Sequence, residues 1–169
     1  MDPAFAIIEL GRNKEVFMNL LSNLEIKELS WRPFIGKWNL LEIMCHLRDE
    51  ECEDFRSRTR GTLEEPTEAF KPIDPEGWVN ERKYAEEDYV KVLGELLNER
   101  QLSIDWLRTL KGPNWDNVYH HEQLGDLSAQ LFLENWVAHD MLHIRQIINT
   151  RLAYLKHIAK EPLGYAGDV

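Results

Sequence analysis

Apolar side chains return at intervals of three and four along most of the chain, the period of helices with one buried face. A first helix is predicted from about Pro3 to Leu24. It carries Ile7, Leu10, Phe17, Leu20, Leu21 and Leu24, and Pro3 suits a first helical turn. A second starts near Asn39, which with Glu42 three residues on has the form of a capping box, and its stripe is Leu40, Ile43, Met44, Leu47 and Phe55. The third runs from about Asn80 to Lys111 on Tyr89, Leu93, Leu96, Leu97, Ile104, Leu107 and Leu110, and Gly112-Pro113 ends it. The fourth opens at Asp126 or Ser128, either able to cap, and continues to about His157. No alternation of apolar and β-branched residues argues for a substantial sheet, and there is no internal repeat.

The connections set the topology. Gly61, Pro66, Pro72, Pro75 and Gly77 make residues 61–79 a non-helical linker. Extended, it reaches roughly 60 Å, twice the length of a helix of about 20 residues. It can therefore return along the molecule and let helices two and three run parallel. The shorter loops at 25–38 and 112–126 suit antiparallel neighbours. The expected architecture is all-α, a four-helix bundle with a long crossover between helices 2 and 3, in a single domain spanning 1–169.

Charge narrows the partners. Thirty acidic residues against twenty basic ones leave a net charge of −10, which repels phosphate backbones and anionic headgroups, so neither nucleic acid nor membrane is an expected partner. No apolar run approaches a membrane span, and Met1 to Leu10 lacks the basic-then-apolar pattern of a secretory leader. Two cysteines do not make a disulfide framework, so the expected setting is a reducing cytoplasm. The expected partner is a small-molecule substrate.

The chemistry lies in the histidines. Phe132, Trp136, His139, His143, Ile147, Thr150 and Tyr154 form one narrow stripe on helix four. His139 and His143, spaced i, i+4 within that apolar stripe, can converge on one point as chelation of a metal requires. Neutral, hydrogen-bonded core histidines are the competing reading. A third ligand must come from another helix, and His46 is the one other histidine near the middle of a helix, with Glu50 one turn later on the same side. Glu50, Asp140 and Gln146 are candidates to orient the rings. Asp49, away from the stripe, reads as a solvated charge. His139-Asp140-Met141-Leu142-His143 superficially follows the H-E-x-x-H protease pattern. However, Asp140 is a methylene shorter than glutamate and points about 100° from His139. A di-iron site would need a second Glu-x-x-His motif, and there is none. A mononuclear three-histidine site with open positions fits best.

The stretch Trp136-Val137-Ala138-His139-Asp140-Met141-Leu142-His143-Ile144-Arg145-Gln146-Ile147 resembles the C-terminal signature of the DinB-like superfamily. Trp31-Arg32-Pro33, Gly36-Lys37-Trp38 and Leu41-Glu42-Ile43 through His46-Leu47 are similar to its N-terminal signature. The resemblance covers essentially the whole chain. It implies a bundle with a crossover between helices two and three. It also implies one divalent ion on the positions matched by His46, His139 and His143, and a homodimer; imidazole ligands accept Zn, Ni, Mn or Fe alike. It further implies kinship with S-transferases and isomerases that use bacillithiol, mycothiol or glutathione. The expected activity is a metal-dependent transfer of a low-molecular-weight thiol, or a metal-assisted hydrolysis. A non-catalytic stress-response protein with a structural ion is the alternative.

Other residues are read as structural. Cys45 and Cys52 are packing residues, Trp31 and Trp38 a lid on the bundle end, and His120 and His121 solvated loop residues. His157 complements the dipole at the end of helix four, and Arg145 is exposed or paired. A second apolar line on helix four, Leu133, Val137, Ile144, Ile148 and Leu155, is the expected dimer face.

Overall fold

The computed structural model describes residues 1–167. In chain order the helices are α1 (Pro3–Leu21), α2 (Ile26–Ser30), α3 (Leu40–Asp49), a π-helical turn (Glu50–Phe55), α4 (Arg56–Glu64), α5 (Pro75–Glu81), α6 (Tyr89–Thr109) and α7 (Ala129–Ile158). Short 3₁₀ turns occur at Tyr84–Glu86 and Leu163–Ala166. A two-stranded antiparallel hairpin, β1 (Val118–His121) and β2 (Gly125–Ser128), precedes α7. The segment from α3 through the π turn to α4 is one continuous rod. With α1, α6 and α7 it forms a four-helix bundle.

Local chemistry accounts for where these helices start. Asp2 caps α1 by accepting from the Ala4 amide ahead of Pro3. At α3 the box is complete: Asn39 Oδ1 accepts from the Glu42 amide and Glu42 Oε2 from the Asn39 amide, both at 2.9 Å. Asp88 caps α6 and Ser128 caps α7.

Several boundaries differ from the sequence reading. α1 stops at Leu21 rather than Leu24, where the chain turns into α2. The linker expected over 61–79 is partly helical. The rod runs on to Glu64 through Gly61, and Asp74-Pro75 supply an N-cap and first turn for α5. The helix expected from Asn80 begins only at Tyr89, after α5 and a 3₁₀ turn. The loop expected over 112–126 folds into the hairpin instead. Its turn is closed by Gly125 at φ +76°, with both strands short and half-exposed.

Side-chain contacts fix the helix directions. α1 is antiparallel to α6, with Lys14 on Gln101 and Tyr89 on the Leu21 carbonyl. It is parallel to α7, with Gln130 on the Met1 carbonyl at one end and Arg151 on the Leu20 carbonyl at the other. The rod is parallel to α6 through Arg48–Glu95 and Arg56–Ser103, as the long crossover predicts. It is antiparallel to α7, where Glu51 meets Trp136 and His46 meets His143. The ring of neighbours is thus α1, α6, rod, α7. Helices joined by the two shorter connections are antiparallel, but they stand at opposite corners rather than side by side. Those connections carry α2 and the hairpin, and are long enough to cross the end of the bundle.

The core has two apolar halves. One gathers Phe17, Leu21, Leu40, Ile43, Met44, Leu96 and Ile147, and the other Ala6, Leu10, Phe55, Ile104, Leu133 and Trp136. The two are separated by buried polar residues from all four long helices. Leu133 and Val137, placed by the sequence reading on a dimer face, belong to the second half of the core; Ile148 and Leu155 are exposed. Among the described residues no helix is long and apolar enough to cross a membrane.

Candidate metal centre

His46 projects from α3 toward His139 and His143, which lie one turn apart on the facing side of antiparallel α7. The three Nε2 atoms form a nearly equilateral triangle, with sides of 3.3 Å (His46–His139), 3.2 Å (His46–His143) and 3.1 Å (His139–His143). The Trp38 ring lies against His46 at 4.8 Å and the Phe55 ring against His139 at 4.9 Å, centroid to centroid. Burial holds all three imidazoles neutral. It pushes His46 down to about 3, reinforced by His143, and His139 down to about 2, reinforced by the other two rings. His143 is lowered by the same burial, against an opposing polar contact from Gln146.

This arrangement fits a divalent ion. Bonds of about 2.0–2.1 Å set neighbouring nitrogens roughly 2.9–3.4 Å apart for angles from octahedral to tetrahedral, the range observed. With all three protons on Nδ1, the Nε2 lone pairs face one point, an arrangement that a cation satisfies. Coordination through Nε2 keeps each proton on Nδ1, and the Nδ1 atoms of His46 and His143 are buried with no protein acceptor. The three histidines also form a group of potential ligands whose donor atoms all lie within 4.8 Å of one another.

Glu50 is the nearest carboxylate. It is buried at the start of the π turn, with Oε2 3.8 Å from His139 Nε2 and its carboxyl hydrogen-bonded to that of Asp54. Burial and the neighbouring Asp54 carboxyl push its pKa up to about 8. Asp54 in turn pairs with Arg58, one turn further along the rod. The π turn matters here because it carries Glu50 and Glu51, adjacent in sequence, both into the interior.

Glu51 joins a charged layer beneath the histidines. Arg100, from α6, forks onto Asp140 at 2.5 and 2.7 Å and reaches Glu51 at 2.7 Å. The Trp136 indole donates to Glu51 and the Asn13 amide to Asp140. One cation and two carboxylates are thereby enclosed with almost no solvent contact. Burial raises the Asp140 carboxyl, and Arg100 opposes the rise.

The sequence-derived candidates therefore separate. His46, His139 and His143 converge. Glu50 is beside them, and Gln146 lies by His143 in the adjoining groove. Asp140 has its hydrogen bonds to Arg100 and Asn13 instead of to a ring. Asp49, read as solvated, is buried and accepts from the Tyr84 hydroxyl, Arg48 and Arg82, fastening the crossover to the rod. Cys45 is a core residue, while Cys52 is half-buried with its thiol near backbone carbonyls. His120 pairs with Asp126 on the exposed hairpin, and His121 accepts from two turn amides. Trp31 covers the end of α7 against Tyr154 and His157. Arg100, Glu51 and Asn13 were missed by the sequence reading. The available signal was an arginine and an asparagine standing in apolar stripes, between Leu96 and Ile104 and between Leu10 and Phe17.

Comparisons with known proteins agree with this fold. The family model described as DinB superfamily matches residues 9–147. Among solved structures the chain is similar to YfiT from Bacillus subtilis, described as a probable metal-dependent hydrolase with an unusual four-helix bundle topology. The identity is 20%, with 90% of this chain and 87% of that one covered and a TM-score of 0.79. No curated protein matches the chain.

Proposed function

The chain belongs to the DinB superfamily, and from that premise we propose that it is a metal-dependent enzyme acting on small molecules by hydrolysis or by transfer of a low-molecular-weight thiol. The convergence of three Nε2 atoms within 3.3 Å carries this reading. His46, His139 and His143 hold the ion, and burial keeps each of them neutral and ready to bind. A divalent ion bound there supplies Lewis acidity and brings water or a thiol to ionisation near neutral pH.

The chain's own groups do the rest. Glu50, 3.8 Å from His139 and sharing a proton with the Asp54 carboxyl, is placed to exchange a proton with a nucleophile held beside His139. Trp38 and Phe55 wall the rings on two sides and limit water access. A groove of about 550 Å³, with His143 on one wall, admits a small molecule. The buried acid beside His139 and the groove favour an enzyme over an ion that only staples helices, since a staple requires neither.

Elemental analysis of protein purified without chelator or immobilised metal tests the first part, with one divalent ion per chain expected. His139→Ala and His143→Ala each should abolish retention. A chain that stays metal-free after reconstitution overturns the proposal. For activity, a panel of activated esters and amides, and of cellular thiols with an electrophile, is compared between wild type and Glu50→Gln. Turnover should appear in one arm and fall at least tenfold in the variant while the ion is retained. Absence of turnover in every arm with the ion bound supports the structural-ion alternative.

A further inference from the structure

We propose that the groove beside His143 selects small molecules that carry an apolar, ring-sized body and a carboxylate end. This inference rests on the reading of the metal centre as an active site and names the class of substrate that it takes. The groove lies between the loop that carries Phe34 and Trp38 and the outward face of α7, and its volume is that of a small-molecule site. Phe34 is 63% exposed despite its size, and Trp38 is half-buried against His46. Together they offer an aromatic wall for an apolar body.

The charge at its rim is the informative part. Lys37 and Arg145 line the groove from opposite sides, and no carboxylate does. Gln146, Asn149 and Thr150 are its other polar groups. Glu76 lines an adjoining hollow together with Lys37 but is outside ion-pair contact with it. Among the described residues neither Lys37 nor Arg145 lies within ion-pair distance of a carboxylate, and the Lys37 ammonium sits 5.8 Å from the Phe34 ring centroid. Among the described residues, every arginine except Arg108 and Arg145 lies within ion-pair distance of a carboxylate. Arg145 leaves α7 about 200° around the helix from His143 and is exposed while still lining the groove, so a carboxylate held by it lies at the outer rim. Guanidinium and ammonium groups on opposite walls can engage the two oxygens of one carboxylate, and the amides can complete its hydrogen bonds.

The test uses three probes of one shape: 4-phenylbutyrate, 4-phenylbutanol and 4-phenylbutylamine. Binding is measured by calorimetry or amide chemical shifts on the protein as isolated, with metal content determined on the same samples. The butyrate should bind about tenfold more tightly than the amine, and the margin should shrink with added salt. Lys37→Gln with Arg145→Gln, both at exposed positions, should erase the margin and leave the butanol unchanged; Arg145→Lys should restore part of it. Equal affinity for butyrate and amine overturns the proposal. So does a margin that survives intact in the double variant, because the anion is then held by the metal centre. The outcomes separate the two readings. A retained ion with no charge preference sinks this inference alone. A preference lost in the double variant, in a protein that retains no ion, sinks the metal reading alone.

Discussion

Replacing Arg100 by methionine tests whether the buried charge layer holds the bundle together at mid-height. Arg100 is 2% exposed and is the cation shared by Asp140, 0% exposed, and Glu51, 1% exposed. Its removal leaves two carboxylates enclosed without a counter-charge. Breaking a buried pair from one side costs about 3–5 kcal/mol, against a total stability of roughly 5–15 kcal/mol for an ordinary domain. With a urea dependence of about 2 kcal/mol per molar, the midpoint of Arg100→Met should fall by about 2 M at pH 7. The triple variant Arg100→Met, Glu51→Gln, Asp140→Asn removes the charges together. The Trp136 indole and Asn13 amide still find side-chain oxygens at positions 51 and 140. It should therefore lie within about 2 kcal/mol of wild type, more stable than the single variant that it contains. The assay is urea unfolding followed by tryptophan fluorescence and by circular dichroism, with coincident transitions required. A single variant that loses less than about 1 kcal/mol, or a triple no more stable than the single, would refute the reasoning.

Metal-free protein should lose stability in mild acid. Below pH 6.5 the unfolded chain binds protons on His46, His139 and His143 that the folded one refuses. Glu50, pushed up to about 8, works in the opposite direction, because the folded chain keeps a proton that the unfolded one releases. The three imidazoles outweigh Glu50, whose effect the raised Asp54 and Asp140 carboxyls join, and the net is a loss of stability between pH 7 and 5.5; unfolding midpoints that stay level or rise across this interval would contradict it. Asn39→Ala removes one half of the capping box at α3 and should cost about 1 kcal/mol, a drop in Tm of roughly 3 °C by calorimetry. Exposed Ile148, Leu152, Leu155 and Ile158 on the outer face of α7 are proposed to bury against a second copy. Light scattering should then give twice the 20.0 kDa chain mass, and Leu152→Glu with Leu155→Glu should halve it.

Helix periodicity made the bundle legible because each long helix needs a single apolar face, and the caps at Asn39 and Ser128 announce themselves in the residue types. The histidine pair was legible for the same reason: two polar rings at i, i+4 inside an aromatic stripe. The π turn was not, since an inserted residue between Asp49 and Arg56 leaves no mark in local composition, and its effect is to turn inward two glutamates that a regular helix would divide between faces. Asp49 was misread because its burial depends on Tyr84 and Arg82, which the crossover brings back from more than thirty residues away. Arg100 was passed over because its face was read as apolar throughout. The hairpin escaped notice since its strands are four residues each and half-exposed, too short to show an alternating pattern.

The diagonal placement of consecutive helices bears on the order of assembly. In an up-and-down bundle each helix can zip onto the one just made, and a helical hairpin forms early from local contacts. Here α1 has no long-helix neighbour until α6 exists, and its other neighbour is α7, more than a hundred residues downstream. The rod and α6 are the one pair joined in sequence and also adjacent in space, so they form the natural nucleus. High sequence separation of contacts slows folding, and both the triad and its underlying charge layer draw on α7. The histidine centre therefore comes into being only at the last docking event, and an ion bound there would report on a finished chain rather than on a growing one.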